Sequence, residues 1–320
     1  MKLALRIEVA TARGLRIGVP NLLRALAASR ARASFFFNLG PDHSGRALAR
    51  TLRPTPAHRG GWMARQWGLG TLLSGTLMPA PELGRRYRDV MRFARDSGFE
   101  AGLLAWDHAG WRTGAALADA RWTRQDLVRG VERFTDVFGA PPVGHAAPRW
   151  QMNVHAWRLL QQLGFGYGTD SRGFRPFLPV YNAELVACPQ IPTTWPVLDE
   201  WLGVSGAGRL APEQVPDRLL AAADAATAAA EATSTAALHV WTVRAEFEGI
   251  RLLPVLEAVL AAWVARDGEV VAVGDIAAGL DLKRLPRHAV SSRTRFGAPP
   301  AMALQEAEFL VSEARARLHA

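Results

Sequence analysis

Short apolar segments recur along this chain, and segments with helical periodicity separate several of them. The apolar segments are residues 3–9, 33–39, 100–106, 143–147, 165–170, 236–243 and 269–273. Apolar residues at helical spacing follow Pro20 and precede Gly139. Strands that alternate with helices favour a parallel sheet covered by helices. Because a β/α barrel commonly exceeds 250 residues as one core, about seven strands in 320 residues predict a single-domain, closed or nearly closed α/β barrel.

The composition is that of a globular protein, with 49% hydrophobic and 21% charged residues. No apolar run approaches the roughly 18 residues that a membrane span needs. The chain has one cysteine, Cys188, so no disulfide framework is expected and a reducing cytoplasm is the simplest compartment. The first residues have a short apolar stretch that contains an acidic residue, which is not typical of a signal peptide.

The formal net charge of +9 comes almost entirely from arginine, because Lys2 and Lys283 are the only lysines. Such a charge favours nucleic acid, anionic lipid or phosphorylated ligands, and alone it does not choose among them. The arginines are scattered rather than grouped in a basic helix, and no zinc-finger spacing occurs, so no nucleic-acid partner is predicted. No GxGxxG follows the first strand, which argues against a dinucleotide site.

Two long segments and the C-terminal region interrupt the alternation of predicted strands and helices. Residues 44–90 form an insertion whose middle, 62–78, mixes tryptophan, leucine and arginine; it is predicted either to lie in a lipid interface or to pack on the barrel mouth. The alanine-rich residues 216–237 predict a helix. We expect a barrel over 1–282 and a solvated C-terminal connector and helix over 283–320.

Catalytic groups of a β/α barrel lie just past the C-terminal ends of its strands. At those places the chain carries acids, arginines, a histidine and tryptophans: Glu8, Trp106, Asp107, His108, Arg149, Trp150, Asp170, Asp199, Glu200, Arg244, Glu246 and Glu248. Structural roles remain open for several of them. Carboxylates there often cap helices, Glu246 or Glu248 could pair with Arg244 or Arg149, and Asp107 could hold the ring of His108.

The order of several segments resembles the polysaccharide deacetylase (NodB-homology) family. They are "LRIEVATARGLRIGVPNLL", "ASFFFNLGPDHSGR", "GFEAGLLAWDHAGW", "AAPRW", "YGTDSRGFRPFLP", "IPTTWPVLDE" and "WTVRAEFEG". Within that family the chain is most similar to the bacterial deformylases of undecaprenyl-phosphate 4-formamido-arabinose, which serve lipid A modification. The resemblance implies a distorted (β/α)7 barrel. It also implies metal-assisted hydrolysis of an N-acyl sugar, with zinc or a similar divalent ion, a carboxylate base and a histidine acid.

The chain departs from the family's motifs at the positions that hold the metal and the acid. Glu8 occupies the position of the base, whereas Ala10 and Leu104 replace two metal ligands and only His108 is retained. Arg244 stands where the family has its acid histidine. One imidazole does not fix a divalent ion, and a guanidinium remains charged near neutral pH. The resemblance therefore predicts that metal-dependent deacylation is lost and that no metal cofactor is bound.

The leading hypothesis is a non-catalytic family member that binds a sugar phosphate or a lipid-linked sugar, with Arg149 and Arg244 neutralising the anion in place of the metal. The expected ligand-binding residues are Trp106, Asp107, Arg149, Trp150, Asp170, Arg172, Asp199 and Glu246. The alternative is an active N-deacylase or deformylase rebuilt around Glu8 and Arg244. Candidate partners are an undecaprenyl-linked sugar, the cytoplasmic face of the inner membrane and an active deformylase. The expected location is the cytoplasm, either free or peripheral on that face.

Overall fold

The computed structural model describes residues 1–46, 68–202, 210–232, 236–293 and 301–310. The strands of its main sheet are β1 (Lys2–Val9), β2 (Ser34–Asn38), β3 (Glu100–Ala105), β4 (Gly144–His145), β5 (Tyr167–Gly168), β8 (His239–Arg244) and β9 (Glu269–Ala272); the two strands between β5 and β8 belong to a second sheet. The main sheet is parallel, with strand order β5-β4-β3-β2-β1-β8, and β9 also pairs with β1. All seven fall within the apolar segments predicted from the sequence or extend one by a single residue.

The sheet curls, and an extended segment, residues 189–195, joins its two outer strands. On one side Ile191 N donates a hydrogen bond to Gly168 O of β5 at 2.9 Å. On the other side Trp195 N donates to Val240 O of β8 at 3.0 Å. The ring is therefore closed by backbone hydrogen bonds of an irregular segment, which accounts for the distortion of the barrel.

Helices cover the outside of the sheet. A π-helical turn, Gly14–Gly18, leads into the first of them. The α-helices among the described residues are α1 (Val19–Ala28), α2 (Leu69–Leu73), α3 (Leu83–Arg86), α4 (Arg88–Asp96), α5 (His108–Gly114), α6 (Ala120–Phe138), α7 (Val154–Gln162), α8 (Leu198–Trp201), α9 (Val215–Ala232), α10 (Leu253–Val264) and α11 (Val273–Ala278). The helices predicted after Pro20, before Gly139 and in the alanine-rich segment correspond to α1, α6 and α9.

Alternate side chains of β1 point to two different environments, because successive residues of a strand face opposite sides of the sheet. Leu5 and Ile7 belong to the large apolar cluster between sheet and helices. Ala4 and Ala10 belong to a smaller cluster inside the barrel. Arg6 and Glu8 share the parity of this inner face, so the strand delivers two charged groups into the barrel.

A second, four-stranded sheet includes residues 287–293 and 302–308, which belong to the predicted C-terminal connector and helix. Its order is β11-β10-β6-β7, with β6 (Leu178–Tyr181), β7 (Glu184–Leu185), β10 (Arg287–Arg293) and β11 (Met302–Glu308). The prediction of a solvated connector and a C-terminal helix is wrong over these residues. Ala303 and Gln305 alternate with less buried neighbours, and pairing with β10 overrides the helical propensity of the Ala- and Glu-rich sequence. The division of the chain at residue 283 stays a prediction.

The insertion over residues 44–90 includes α2, α3 and the start of α4. Trp62, Met63, Trp67, Arg59 and Arg65 lie outside the described residues, as does the side chain of Leu69. Leu72 is half-buried against the core, whereas Leu77 and Met78 are 86% and 51% exposed. Among the described residues, no helix combines the length and apolar character needed to cross a membrane.

Candidate functional site

The C-terminal ends of β1, β3 and β8 meet at one end of the barrel, which we call the mouth. Glu8 of β1 is the register partner of Arg244 of β8. Asp107 and His108 follow β3 directly, and Asn38 joins the two sides: its Nδ2 donates to Ala10 O at 3.1 Å, and its Oδ1 accepts from His108 N at 3.1 Å. The structure therefore brings together Glu8, His108 and Arg244, as the order of motifs predicts.

The Glu8 carboxylate forms an ion pair with Arg6, whose buried guanidinium donates a hydrogen bond to Glu8 Oε1. The same guanidinium donates from Nη2 to Ala147 O at 3.0 Å and from Nε to Thr169 O at 3.2 Å. Arg6 is 0% exposed and Glu8 is 4% exposed, so the pair is buried inside the barrel. The sequence interpretation missed Arg6, although an arginine two residues before an acid on one strand shares its face.

Ala10 and Leu104, which the resemblance places at two metal-ligand positions, are apolar in structure as well as in sequence. Ala10 and Leu104 are both buried in the apolar cluster inside the barrel, together with Phe36, Ala146 and Tyr167. Within the described ranges, no three His, Cys, Asp or Glu side chains come together as a candidate metal site. The residues present at these positions do not fit a divalent ion, because zinc is generally held by three or four such ligands.

His108, which the resemblance places at the third ligand position, is a buried imidazole on which several charged groups act. The pKa of His108 is lowered to about 3, mainly by burial and also by the charges of Arg112, Arg149 and Arg244, while Asp107 opposes the shift. Three guanidinium groups and one carboxylate therefore act on this ring. The positive charges that act on this ring disfavour a metal cation there and favour an anion.

The loop after β4 carries Arg149 and Trp150 in the left-handed backbone region, with φ of 53° and 55°. The Trp150 ring is buried and contacts two guanidinium groups, with the Cζ of Arg6 at 5.5 Å and that of Arg172 at 4.8 Å from its centroid. Its Nε1 donates to Thr193 Oγ1 at 3.1 Å. Two consecutive residues in this region are unfavourable and persist only where surrounding contacts hold them. The contacts of Trp150 thus fix the turn that presents Arg149.

Two other candidate acids are buried in hydrogen-bond networks behind the mouth. Glu246 Oε1 accepts from Ala10 N at 2.9 Å, Thr11 N at 2.9 Å and Thr11 Oγ1 at 3.0 Å, and burial raises its pKa to about 7. Asp170 Oδ1 accepts from Ala147 N and contacts His145 Nδ1, both at 2.7 Å. Both carboxylates hold the loops that carry the mouth residues.

The remaining candidates occupy several environments around the mouth. Glu248 Oε2 accepts from Arg244 N at 2.7 Å, and Arg172 Nη1 donates to Glu200 Oε1 at 2.9 Å. Trp106 is half-buried, and its backbone N donates to Asp126 Oδ2 at 3.1 Å. Asp199 lies in α8, and its side chain is outside the described part of the structure.

Asp107 contacts a histidine other than the one expected. Its Oδ2 lies 2.9 Å from His43 Nδ1, at the start of the insertion, so the interpretation that Asp107 holds the ring of His108 is replaced by this contact. Its Oδ1 accepts from Gly110 N at 2.9 Å and caps α5. His43 lies in one of the segments that resemble the family, but the sequence interpretation did not assign it a role.

A cavity of about 410 Å³ lies at the other end of the barrel. Glu100, Tyr167 and Asp275 line it, and the Tyr167 hydroxyl donates to Glu100 Oε1 at 2.8 Å. None of the candidate residues of the mouth lines it. Active sites of β/α barrels occupy the C-terminal ends of the strands, so the mouth is the candidate site.

Sequence comparison with known proteins agrees with the family resemblance of the motifs. The chain is 35% identical over 204 residues to a probable 4-deoxy-4-formamido-L-arabinose-phosphoundecaprenol deformylase ArnD of Shewanella sediminis (strain HAW-EB3), covering 63% of this chain and 66% of that protein. It is 29% identical over 197 residues to the protein of the same name from Wigglesworthia glossinidia brevipalpis, covering 60% and 68%. The chain belongs to the polysaccharide deacetylase (NodB-homology) family. It spans about two thirds of the length of these curated relatives.

A solved structure of this family shows the same fold. The crystal structure of a probable polysaccharide deacetylase from Pseudomonas aeruginosa PAO1 superposes with a TM-score of 0.59 at 15% identity, and the match covers 87% of this chain and 89% of that one. No protein-family model matches the chain. The structural match confirms the predicted (β/α)7 barrel and, at this identity, concerns the fold alone.

Proposed function

We propose that this family member has lost metal-dependent deacylation and binds an anionic sugar at the barrel mouth, either a sugar phosphate or a lipid-linked sugar. The observation that carries the proposal is the make-up of the mouth: Ala10 and Leu104, at two positions that the resemblance assigns to metal ligands, are buried and apolar, and the charges of Arg149 and Arg244 act on His108 at the third. The curated relatives are named for a sugar joined to phosphoundecaprenol, a ligand that contains both a sugar and a phosphate. A guanidinium binds phosphate through two parallel hydrogen bonds and needs no metal ion.

The arrangement of Arg149 and Arg244 suits this role. Arg244 is the last residue of β8, and its Cζ lies 4.5 Å from the Phe247 ring centroid, so its side chain packs against an aromatic ring. Arg149 projects from a turn held by the buried Trp150. Cations on rigid elements lose little conformational freedom when a ligand binds. The two arginines therefore form a preorganised anion site.

The alternative, an active deacylase rebuilt around Glu8 and Arg244, has less support. A general base must accept a proton from water, and the Glu8 carboxylate already accepts a hydrogen bond from a buried guanidinium. Arg244 does not donate a proton near neutral pH. We therefore expect no turnover at this mouth.

Charge reversal at Arg244 tests the binding proposal. In calorimetric titrations with glucose 1-phosphate, Arg244→Glu is expected to weaken binding on the order of tenfold or more, because it replaces attraction of the phosphate with repulsion. Arg266→Glu is the matched control, since Arg266 pairs with Asp224 beyond the end of α10, away from the mouth. Equal affinities of Arg244→Glu and the unsubstituted protein would remove Arg244 from the site.

A lipid-linked ligand implies that the protein works at a membrane surface, and the insertion supplies exposed apolar side chains for this. Leu77 and Met78 are 86% and 51% exposed. Such side chains insert into the interface between headgroups and acyl chains, while arginines attract anionic lipids. We propose peripheral binding through residues 62–78, of which 62–67 lie outside the described residues. Pairing with an active deformylase stays a prediction.

Vesicle flotation tests the membrane proposal. The protein is expected to float with vesicles of phosphatidylcholine and phosphatidylglycerol, and Leu77→Glu combined with Met78→Glu is expected to reduce the bound fraction severalfold, because two charges replace inserted apolar groups. Val264→Glu is the control, because Val264 is also exposed and ends α10. A protein that stays at the bottom of the gradient with every vesicle composition would contradict the proposal.

A further inference from the structure

A carboxylate–imidazole pair lies beside His108 at the mouth and joins two of the segments that resemble the family, those after β2 and β3. His43 Nδ1 and Asp107 Oδ2 are 2.9 Å apart. Their side chains are 20% and 23% exposed, so the pair is sheltered and still reaches solvent. Asp107 directly precedes His108, whose ring is acted on by Arg112, Arg149 and Arg244.

Both members of the pair are held in place by their surroundings. Asp107 Oδ1 accepts from Gly110 N at 2.9 Å, and Asp107 N donates to Asp126 Oδ1 at 3.0 Å. The ring of His43 packs against Gly75, where a Cβ would lie 3.0 Å from His43 Cδ2 and where φ is +73°. A side chain at position 75 would therefore meet both strain and the imidazole. The insertion and the barrel together fix the orientation of His43.

This orientation determines what His43 offers to a ligand. A carboxylate is an acceptor only, so in the neutral ring the proton lies on Nδ1 and is donated to Asp107. The other nitrogen, Nε2, then carries a lone pair directed away from Asp107. A lone pair accepts a hydrogen bond from a hydroxyl group. It forms none with a fully ionised phosphate oxygen, which has no proton to donate.

We propose that His43 is a specificity-determining residue of the mouth, whose Nε2 accepts a hydrogen bond from a hydroxyl of the sugar while Arg149 and Arg244 hold its anionic group. This inference rests on the proposed function and extends it. The arginines bind any phosphate, whereas the pair of His43 and Asp107 distinguishes a sugar phosphate from inorganic phosphate. Asp107 acts as a positioning residue through His43.

The ratio of two affinities tests this assignment. His43→Phe keeps an aromatic ring and removes the acceptor, so it is expected to weaken glucose 1-phosphate binding about fivefold to tenfold and to leave inorganic phosphate binding unchanged. His43→Gln, which restores an acceptor, is expected to recover part of the loss. His155→Phe is the control, because His155 is a half-buried histidine of α7. An equal loss for both ligands would overturn the assignment.

Chemical modification of the unsubstituted protein gives a second readout that does not depend on a variant folding. Diethyl pyrocarbonate acylates imidazole nitrogens, and peptide mass spectrometry locates the modified histidine. Glucose 1-phosphate is expected to slow modification of His43, whereas inorganic phosphate is expected not to. If glucose 1-phosphate binds in an Arg244-dependent way and leaves His43 equally reactive, this inference fails and the proposed function stands. If glucose 1-phosphate does not bind at all, both fail.

Discussion

Arg6→Met is expected to lower the free energy of unfolding by about 3–5 kcal/mol, because it leaves the buried Glu8 carboxylate without its cation. Glu8 is 4% exposed, so water does not replace the lost partner. The substitution also removes donors to Ala147 O and Thr169 O, two carbonyls that hold the loops after β4 and β5. Urea denaturation followed by tryptophan fluorescence measures the loss.

The double variant Arg6→Met, Glu8→Leu separates the ion pair from these other contacts. Replacing both charges with apolar groups removes the cost of the uncompensated carboxylate, so the double variant is expected to be more stable than Arg6→Met alone. It remains less stable than the unsubstituted protein because the two carbonyls still lack their donor. A double variant less stable than Arg6→Met would show that Glu8 is not stabilised mainly by Arg6.

A second ion pair on the same strand is the matched control. Lys2 Nζ lies 3.7 Å from Glu269 Oε2, and both side chains are more than 60% exposed. Lys2→Met is expected to change the free energy of unfolding by no more than about 1 kcal/mol, because exposed pairs contribute little. The comparison removes a cation of β1 in both cases and contrasts a buried ion pair with an exposed one.

The ion pair between Arg6 and Glu8 also illustrates what could not be predicted from the sequence of this chain. The strands of the barrel were predictable because each one is a short apolar run bounded by helical or turn sequence. The convergence of Glu8, His108 and Arg244 followed from the rule that barrel strands end at one mouth. Arg6 was treated as one more residue of an apolar strand, because sequence alone does not show which polar groups a strand meets inside a barrel.

His43 and β11 illustrate two other limits. The contact between His43 and Asp107 joins residues separated by an insertion, and no local periodicity reports such a contact. Residues 302–308 have a composition with high helical propensity, yet they form a strand because β10 offers a hydrogen-bonding edge. Pairing between distant segments outweighs local propensity at such places.

The loss of the metal site can be tested by rebuilding it. Ala10→Asp combined with Leu104→His restores the two substituted ligand positions around His108 and is expected to bind about one zinc ion per chain, because three protein ligands suffice for a zinc site. The unsubstituted protein is expected to purify without stoichiometric zinc and to release no formate from a formamido sugar. Elemental analysis and a formate assay measure both.

Thermal stability gives an independent readout of the rebuilt site. A zinc ion that binds only the folded state stabilises it by about 4 kcal/mol at roughly 1,000 times its Kd, so adding zinc should raise the Tm of this variant and a chelator should reverse the rise. The matched control is Ala10→Asn combined with Leu104→Gln. It introduces side chains of similar size and polarity that are poor zinc ligands, and its Tm should not respond to zinc.

The positive charge near His108 is expected to limit the zinc affinity of the rebuilt site. Arg149 and Arg244 act on the same ring that would have to bind zinc, so adding Arg244→His to the rebuilt site is expected to tighten zinc binding further by removing a repelling charge. Stoichiometric zinc and formate release in the unsubstituted protein would contradict the proposed loss of activity. A folded Ala10→Asp, Leu104→His variant without zinc affinity would show instead that positions 10, 104 and 108 do not converge on one ion.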